Sequence, residues 1–265
     1  MNISIRHLLI LLLVVPAVWI SCSDDDPTGI DQAFEAEESF YFSVEVDGHT
    51  HLDLEGITGA IVITGSSATD SIRISGVKRV ESSSLEDAQQ HLPDIEVNVQ
   101  DLGTEVSVVT TQPGFPPDYR EYEVDYTITL PATLAIQVGA VAGTIEINSI
   151  DNDVTVDHVS GSVDLSEIFG STSVGLVSGE IDGTVTLPTG GAITMSMVTG
   201  TIDLSIPVST SAEFSASLIT GEITVSNLTI HDRVETSRTL SGTLGAGDGS
   251  ISLATTTGNI YVSGF

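Results

Sequence analysis

The chain has 265 residues, 37 of them Asp or Glu against 7 Lys or Arg, for a formal net charge of −30. A surface this negative repels phosphate backbones and anionic headgroups, which excludes a nucleic-acid binder and a peripheral membrane protein held by basic residues. Hydrophobic residues make up 40% and aromatics only 5%, so the chain can bury a core and that core is aliphatic.

Residues 1–21 read as a secretory leader. Arg6 is the only charge, Leu8 to Val15 is an unbroken apolar run, and the run is too short to span a bilayer comfortably. It ends on Cys22, the only cysteine, so no intramolecular disulfide can staple the fold. A lone Cys after Ile20 and Ser21 resembles the lipobox of bacterial lipoproteins, with Trp19 in place of the usual Leu. That resemblance implies lipidation of Cys22 and attachment to a membrane through the lipid. Removing the leader takes away Arg6 and leaves 244 residues with a charge of −31. Residues 22–39 hold Asp24, Asp25, Asp26, Asp31, Glu35, Glu37 and Glu38 and no base, which reads as an extended acidic tether. Acids just after such a Cys resemble the surface-export signal of Bacteroidota-like lipoproteins and imply display on the outer-membrane surface of the cell envelope.

From residue 40 the hydrophobic period is two, the mark of half-buried strands. Phe40, Phe42, Val44 and Val46 alternate with polar neighbours, as do Leu52 and Leu54, Ile61 and Ile63, and Ile72 and Ile74. Ser84 to Pro93 is the one helical segment, with Ser84 as N-cap, acids in the first turn and Pro93 as the stop. Strands follow at Ile95–Val99 and Val106–Val108, then a loop built on Pro113, Pro116 and Pro117, then Tyr122–Leu130.

An internal repeat governs the rest of the chain. A corner motif of apolar, small, Gly, any residue and apolar centres on Gly143, Gly161, Gly179, Gly200, Gly221 and Gly242, with a looser copy at Gly258 and an early one at Gly59. The first six glycines are 18, 18, 21, 21 and 21 residues apart, which fits one coil of a solenoid per repeat. Glycine permits a sharp turn between strands on different walls, and apolar residues on both sides of the corner are expected to point inward. The domain then runs from 40 to 265, irregular over 40–140 and regular over 141–265. A sandwich would need hairpin reversals at shorter, less regular spacing.

If the coils stack in chain order, outward residues form columns. The position three after each corner glycine holds Glu146, Asp164, Asp182, Asp203 and then Thr224. Carboxylates about 4.8 Å apart repel by about 0.9 kcal/mol in water, and Ca²⁺ bound along the column would cancel that repulsion. A solvated acidic face is the simpler reading. A second constellation is Asp47, His49, His51, Asp53 and Glu55, which share one face of a strand. His49 and His51 with neighbouring carboxylates could hold a transition metal such as Zn²⁺, while the polar side of an amphipathic strand broken by an Asp47-Gly48 turn is the plainer reading.

Catalytic motifs are sparse. Residues 121–232 contain 15 acids but no Lys or Arg, which weakens a polysaccharide-lyase reading. Paired carboxylates alone suffice for glycoside hydrolysis, but no aromatic platform accompanies them in sequence. There is no Gly-x-Ser-x-Gly elbow and no phosphate loop.

The Gly-x-Ile-x-Ile corners, the early Ile57-Thr-Gly-Ala-Ile-Val-Ile copy, Asp87-Ala88 in the helix, Ile95-Glu-Val-Asn-Val, Tyr126-Thr-Ile-Thr-Leu-Pro131 and the closing Ile251–Ile260 segment together resemble a domain-of-unknown-function family of bacterial envelope proteins labelled "putative adhesin". The resemblance implies a right-handed parallel β-solenoid, an extracytoplasmic place and no catalytic residues. The expectation is a surface-displayed lipoprotein that adheres to or contacts a glycan, a matrix component or another envelope protein without catalysis, cofactor or nucleic acid. Rival readings are a carbohydrate-active hydrolase on the same scaffold and an envelope-stress sensor or accessory protein.

Overall fold

The computed structural model describes residues 33–114 and 120–265. The leader, Cys22 and the acidic residues up to position 32 lie outside the described residues. In chain order the strands are β1 (Phe34–Glu45), β2 (His51–Glu55), β3 (Thr58–Ser66), β4 (Ser71–Ser82), β5 (Glu96–Asp101), β6 (Glu105–Thr111), β7 (Glu121–Pro131), β8 (Ala135–Ile150), β9 (Val154–Ile168), β10 (Thr172–Val185), β11 (Ala192–Ile206), β12 (Ala212–Thr220), β13 (Ile223–Ser226), β14 (Ile230–Glu235), β15 (Thr239–Leu244) and β16 (Gly249–Gly264). The helix α1 (Leu85–His91) sits where the sequence places it, with the Ser84 hydroxyl accepting the Asp87 N–H at 3.1 Å. Pro93 does not stop the chain at once. It lies inside a further 3₁₀ turn, Leu92–Asp94, whose first positions tolerate a missing N–H.

Each long strand is two walls joined at a glycine. In β8, Ile136, Val138 and Ala140 are buried before the bend and Ile145 and Ile147 after it, so the buried phase moves from even to odd positions across Gly143. Both walls thereby turn their aliphatic side chains into one interior, as Val163 with Leu165 and Ile202 with Leu204 show in other coils. Gly161 shows why the corner admits no other residue. Its φ is +140°, and a methyl group there would land on the carbonyl oxygen of Gly143 in the neighbouring coil. The residues after the corner point inward as expected, with Ile223 and Val225 only half-buried, but the apolar residue that opens the corner points outward in five coils. Val141, Val159, Val177, Val198 and Ile219 are 46–60% exposed, because the bend spends its inward positions on the residues to either side.

The coils do not stack in chain order. The sheet runs β1-β4-β7-β3-β8-β9-β10-β11-β16-β12-β15-β14, parallel from β7 through β12 and antiparallel at both ends. The C-terminal strand β16 is inserted between β11 and β12, with Gly200 opposite Gly258 and Thr220 opposite Thr257. The looser copy at Gly258 is therefore a full rung, and the glycine column reads 59, 143, 161, 179, 200, 258, 221. Gly242 is not part of it. It pairs with Phe214 in an antiparallel ladder, because the Thr236–Thr239 turn, closed by the Thr236 hydroxyl accepting the Thr239 N–H at 3.0 Å, folds β14 and β15 into a hairpin.

Two further boundaries move. The regular stack includes β3, far inside the stretch 40–140 expected to be irregular, and loses residues 227–248 to the hairpin segment. The acidic stretch expected to be tether up to residue 39 is strand from Phe34 onward. Glu37 and Glu38 gain partners there: Arg79 of β4 meets Glu37 at 2.8 Å and Lys78 meets Glu38 at 2.7 Å. Arg79 also reaches Glu123 at 3.1 Å and Asp125 at 2.5 Å on β7, so one guanidinium ties three adjacent strands.

Candidate interaction surface

Register places Glu146, Asp164, Asp182 and Asp203 side by side on one wall, as the repeat predicts. Burial first and then repulsion from Asp182 and Glu146 raise the Asp164 carboxyl above its ordinary range, and burial with repulsion from Asp203 does the same to Asp182. The next residue in the column is Tyr261 of β16, 37% exposed, and only then Thr224. Serial stacking hid that neighbour: the ring nearest the acids comes from the end of the chain. Among the described residues no group of three or more His, Cys, Asp or Glu side chains converges to hold a metal ion, so the column is a row of separate carboxylates.

His49 and His51 are likewise kept apart. The His49 Nε2 lies 3.0 Å from Asp101 and the His51 Nε2 lies 2.9 Å from Glu105, each ring on its own carboxylate rather than on a shared centre. Asp53 is pushed upward by burial and then by Glu105 and Glu55. Asp101 is held below its ordinary range by the Gly103 N–H and by His49. Asp47 lies in the turn before β2, where its N–H donates to the His49 Nδ1 at 3.3 Å. These contacts close off β2 and its neighbours and leave no common ligand-binding point.

The surface feature that sequence reasoning missed lies at the corners. Val141, Val159, Val177 and Val198 fall on successive coils, followed by Thr256 on β16 and Ile219 on β12, and form an exposed, mostly aliphatic ridge along the stack. Beside it runs a column two residues earlier: Gly139, Asp157, Gly175, Ser196, Ala254 and Ser217. Where the column passes Asp157, Gly175 and Ser196 it leaves a shallow trough of about 420 Å³, bounded also by His158, Val159, Val177 and Val198. A signal was available in the sequence, since the valine falls two residues before each corner glycine, but only the phase reversal at the bend shows that it faces out. His158 forms the trough floor, 3% exposed, with Nδ1 3.2 Å from the Ala140 carbonyl and Nε2 3.2 Å from the Gly143 carbonyl.

A second depression, of about 460 Å³, lies at the N-terminal end between Arg79, Glu81, Gln112, Arg120 and Tyr122. Its cations are committed to acids: Arg120 holds Asp87 through two nitrogens at 2.8–3.0 Å, and Arg79 makes the three contacts above. The acid column lines neither depression. The N-terminal depression also has Glu35, Glu81, Glu121 and Glu123 in its lining, beside Arg79 and Arg120, whereas Asp157 is the one acid of the corner trough.

Residues 125–263 match the family profile described as Toastrack DUF4097. Among solved structures, the chain is similar to a "putative cell adhesion protein" from Clostridium sporogenes, at 14% identity and a TM-score of 0.49, covering 88% of this chain and 100% of that one. It is also similar to a "putative adhesin" from Bacteroides fragilis, at 13% identity and a TM-score of 0.31 over 89% and 98% of the two chains. A "putative adhesin" from Parabacteroides merdae follows at 11% identity and a TM-score of 0.23 over 86% and 95%. No curated protein sequence matches the chain.

Proposed function

From the premise that this chain belongs to the Toastrack DUF4097 family, we propose that it is a lipid-anchored, surface-displayed module of the bacterial envelope that works by non-catalytic contact with another surface. The observation that carries the reading is the ridge: aliphatic side chains at matching positions on five coils, half exposed and aligned by the register of the stack. Contiguous exposed apolar surface in a folded protein marks a place of contact. Repetition at strand spacing suits an extended partner met many times over, where weak single contacts add by avidity. Cys22 would hold the lipid and the acidic residues after it would set the domain off from the membrane. The test is to present the intact protein on cells and measure retention on glycan arrays, matrix proteins and whole cells, with and without Ca²⁺. Retention on at least one class supports the reading. Absence of retention on all of them, together with turnover of a polysaccharide, overturns it in favour of a hydrolase.

A further inference from the structure

The ridge has a period, a relief and a charged border, and together these select a partner. Parallel strands are about 4.8 Å apart, so from Val141 to Ile219 the six rungs cover about 24 Å. An α-helix returns the same face every 5.4 Å and spans that length with about 16 residues. Measured against the rungs, a helix drifts by about 1.2 Å over two spacings and about 3 Å over all five, whereas an extended strand, which returns the same face only every ~6.8 Å, drifts by about 4 Å within two. The trough at Gly175 and Ser196, on the coils of β9 to β11, gives a row of helical side chains a place to seat beside Val159, Val177 and Val198.

The charges on the border are three, and all are acidic. Asp157 stands two residues before Val159 on one wall, and Glu180 and Glu222 follow the corner glycines directly on the other, all exposed. No Lys or Arg occurs between residues 121 and 232 to balance them. A second copy of the chain is a poor occupant, since it brings the same charge of −30 and five aliphatic side chains fall far short of the roughly 800 Å² per partner of a stable interface. We infer that the corner ridge of coils β8 to β12 docks an amphipathic α-helix of a partner polypeptide, its apolar stripe on the valines and trough and its Lys and Arg residues on the flanking acids. This rests on the reading of the chain as an interaction module and names the surface and the partner class.

The test titrates the intact protein with an 18-residue peptide carrying Leu at helical i, i+3, i+4 and i+7 positions and Lys on the flanks, followed by fluorescence anisotropy. Saturable binding is expected. It should weaken at least tenfold for Val159→Thr/Val177→Thr/Val198→Thr, a shape-conserving change at exposed positions. It should weaken severalfold at low salt, and much less at high salt, for Asp157→Asn/Glu180→Gln/Glu222→Gln. Circular dichroism of the variants separates lost docking from lost fold. Equal binding of the scrambled peptide, or of the valine triple variant, overturns the inference by reducing it to charge alone. So does equal binding of a proline-containing extended peptide of the same composition, or binding of phosphatidylcholine vesicles at the ridge in place of the peptide. Retention on cells or matrix that survives the triple substitution overturns the inference and leaves the interaction reading standing.

Discussion

Three glycine-to-alanine substitutions separate the reasons the corners need glycine. Gly139 has an ordinary backbone conformation and nothing within 4 Å of where a Cβ would stand, so Gly139→Ala is expected within about 0.5 kcal/mol of the parent. Gly103 has a φ of +89° in open space, so Gly103→Ala carries only the backbone cost, about 1–2 kcal/mol. Gly179 has a φ of +140°, a region that L-residues avoid, and its added methyl would land on the Gly161 carbonyl. Backbone strain of about 1–3 kcal/mol and overpacking of another 1–3 kcal/mol give an expected loss of about 2–6 kcal/mol. The whole stability of an ordinary domain is about 5–15 kcal/mol. Urea denaturation followed by circular dichroism reads all three from midpoint and slope. If Gly179→Ala lies within about 1 kcal/mol of Gly139→Ala, the coils are not held at glycine-to-carbonyl contact and the account of the stack is wrong.

Two aspartates should respond to acid in opposite directions. The Ser82 hydroxyl first and then Arg120 hold the Asp87 carboxyl below 3.8, so its contribution is present above that value and is lost as pH falls through the lower folded value; Asp87→Asn should remove this acid-labile part of the denaturation curve. Asp182 is raised, so its penalty is present above the folded value and fades as pH falls towards 3.8; Asp182→Asn should raise the urea midpoint at pH 7 and leave it unchanged at pH 3. Burial pushes the Tyr126 phenol up to about 12 while it shares a 2.6 Å hydrogen bond with Thr110, so ultraviolet titration should show one tyrosine ionising last; Tyr126→Phe should abolish that phase and cost about 1–3 kcal/mol by orphaning the Thr110 hydroxyl. Deleting β16 strips the inner edges of β11 and β12 together, so loss of cooperative unfolding across the C-terminal coils is expected by hydrogen exchange, where a merely terminal coil would leave β11 protected.

What the sequence made legible was local. Alternating aliphatic residues specify strands, Ser84 caps its helix, and the Gly-x-Ile-x-Ile signature marks corners, because each depends on neighbours a few residues away. The acid column was legible for the same reason, since four consecutive coils do stack in order from β8 to β11. Order beyond β11 was not. Nothing in Val198-Thr-Gly-Thr-Ile202 states whether the next rung is Ile219-Thr-Gly-Glu-Ile223 or Thr256-Thr-Gly-Asn-Ile260, since both present glycine and inward aliphatic residues at the same offsets. The hairpin at Thr236–Thr239 decides it. By laying Thr239–Leu244 antiparallel along the far edge of β12, with Ile230–Glu235 outside it, the hairpin occupies that edge and leaves β16 the slot beside β11. Gly242 carries the corner pattern by sequence and sits in an antiparallel strand by consequence.

That insertion changes how the solenoid holds together. In a serial stack each coil contacts only its neighbours in sequence, and unfolding can proceed from an end. Here β3, from the start of the domain, lies between β7 and β8, and β16, from its end, lies between β11 and β12. The strands on either side of each slot cannot complete their backbone hydrogen bonds until a segment distant in sequence arrives, which ties coil formation to long-range closure and makes the stack fold as a unit rather than rung by rung. The ridge inherits that dependence. Thr256 enters between Val198 and Ile219 only when β16 is in place, so the six-rung ridge from Val141 to Ile219 is complete in the finished protein alone. A surface assembled from both halves of the repeat segment is presented only by a fully folded molecule.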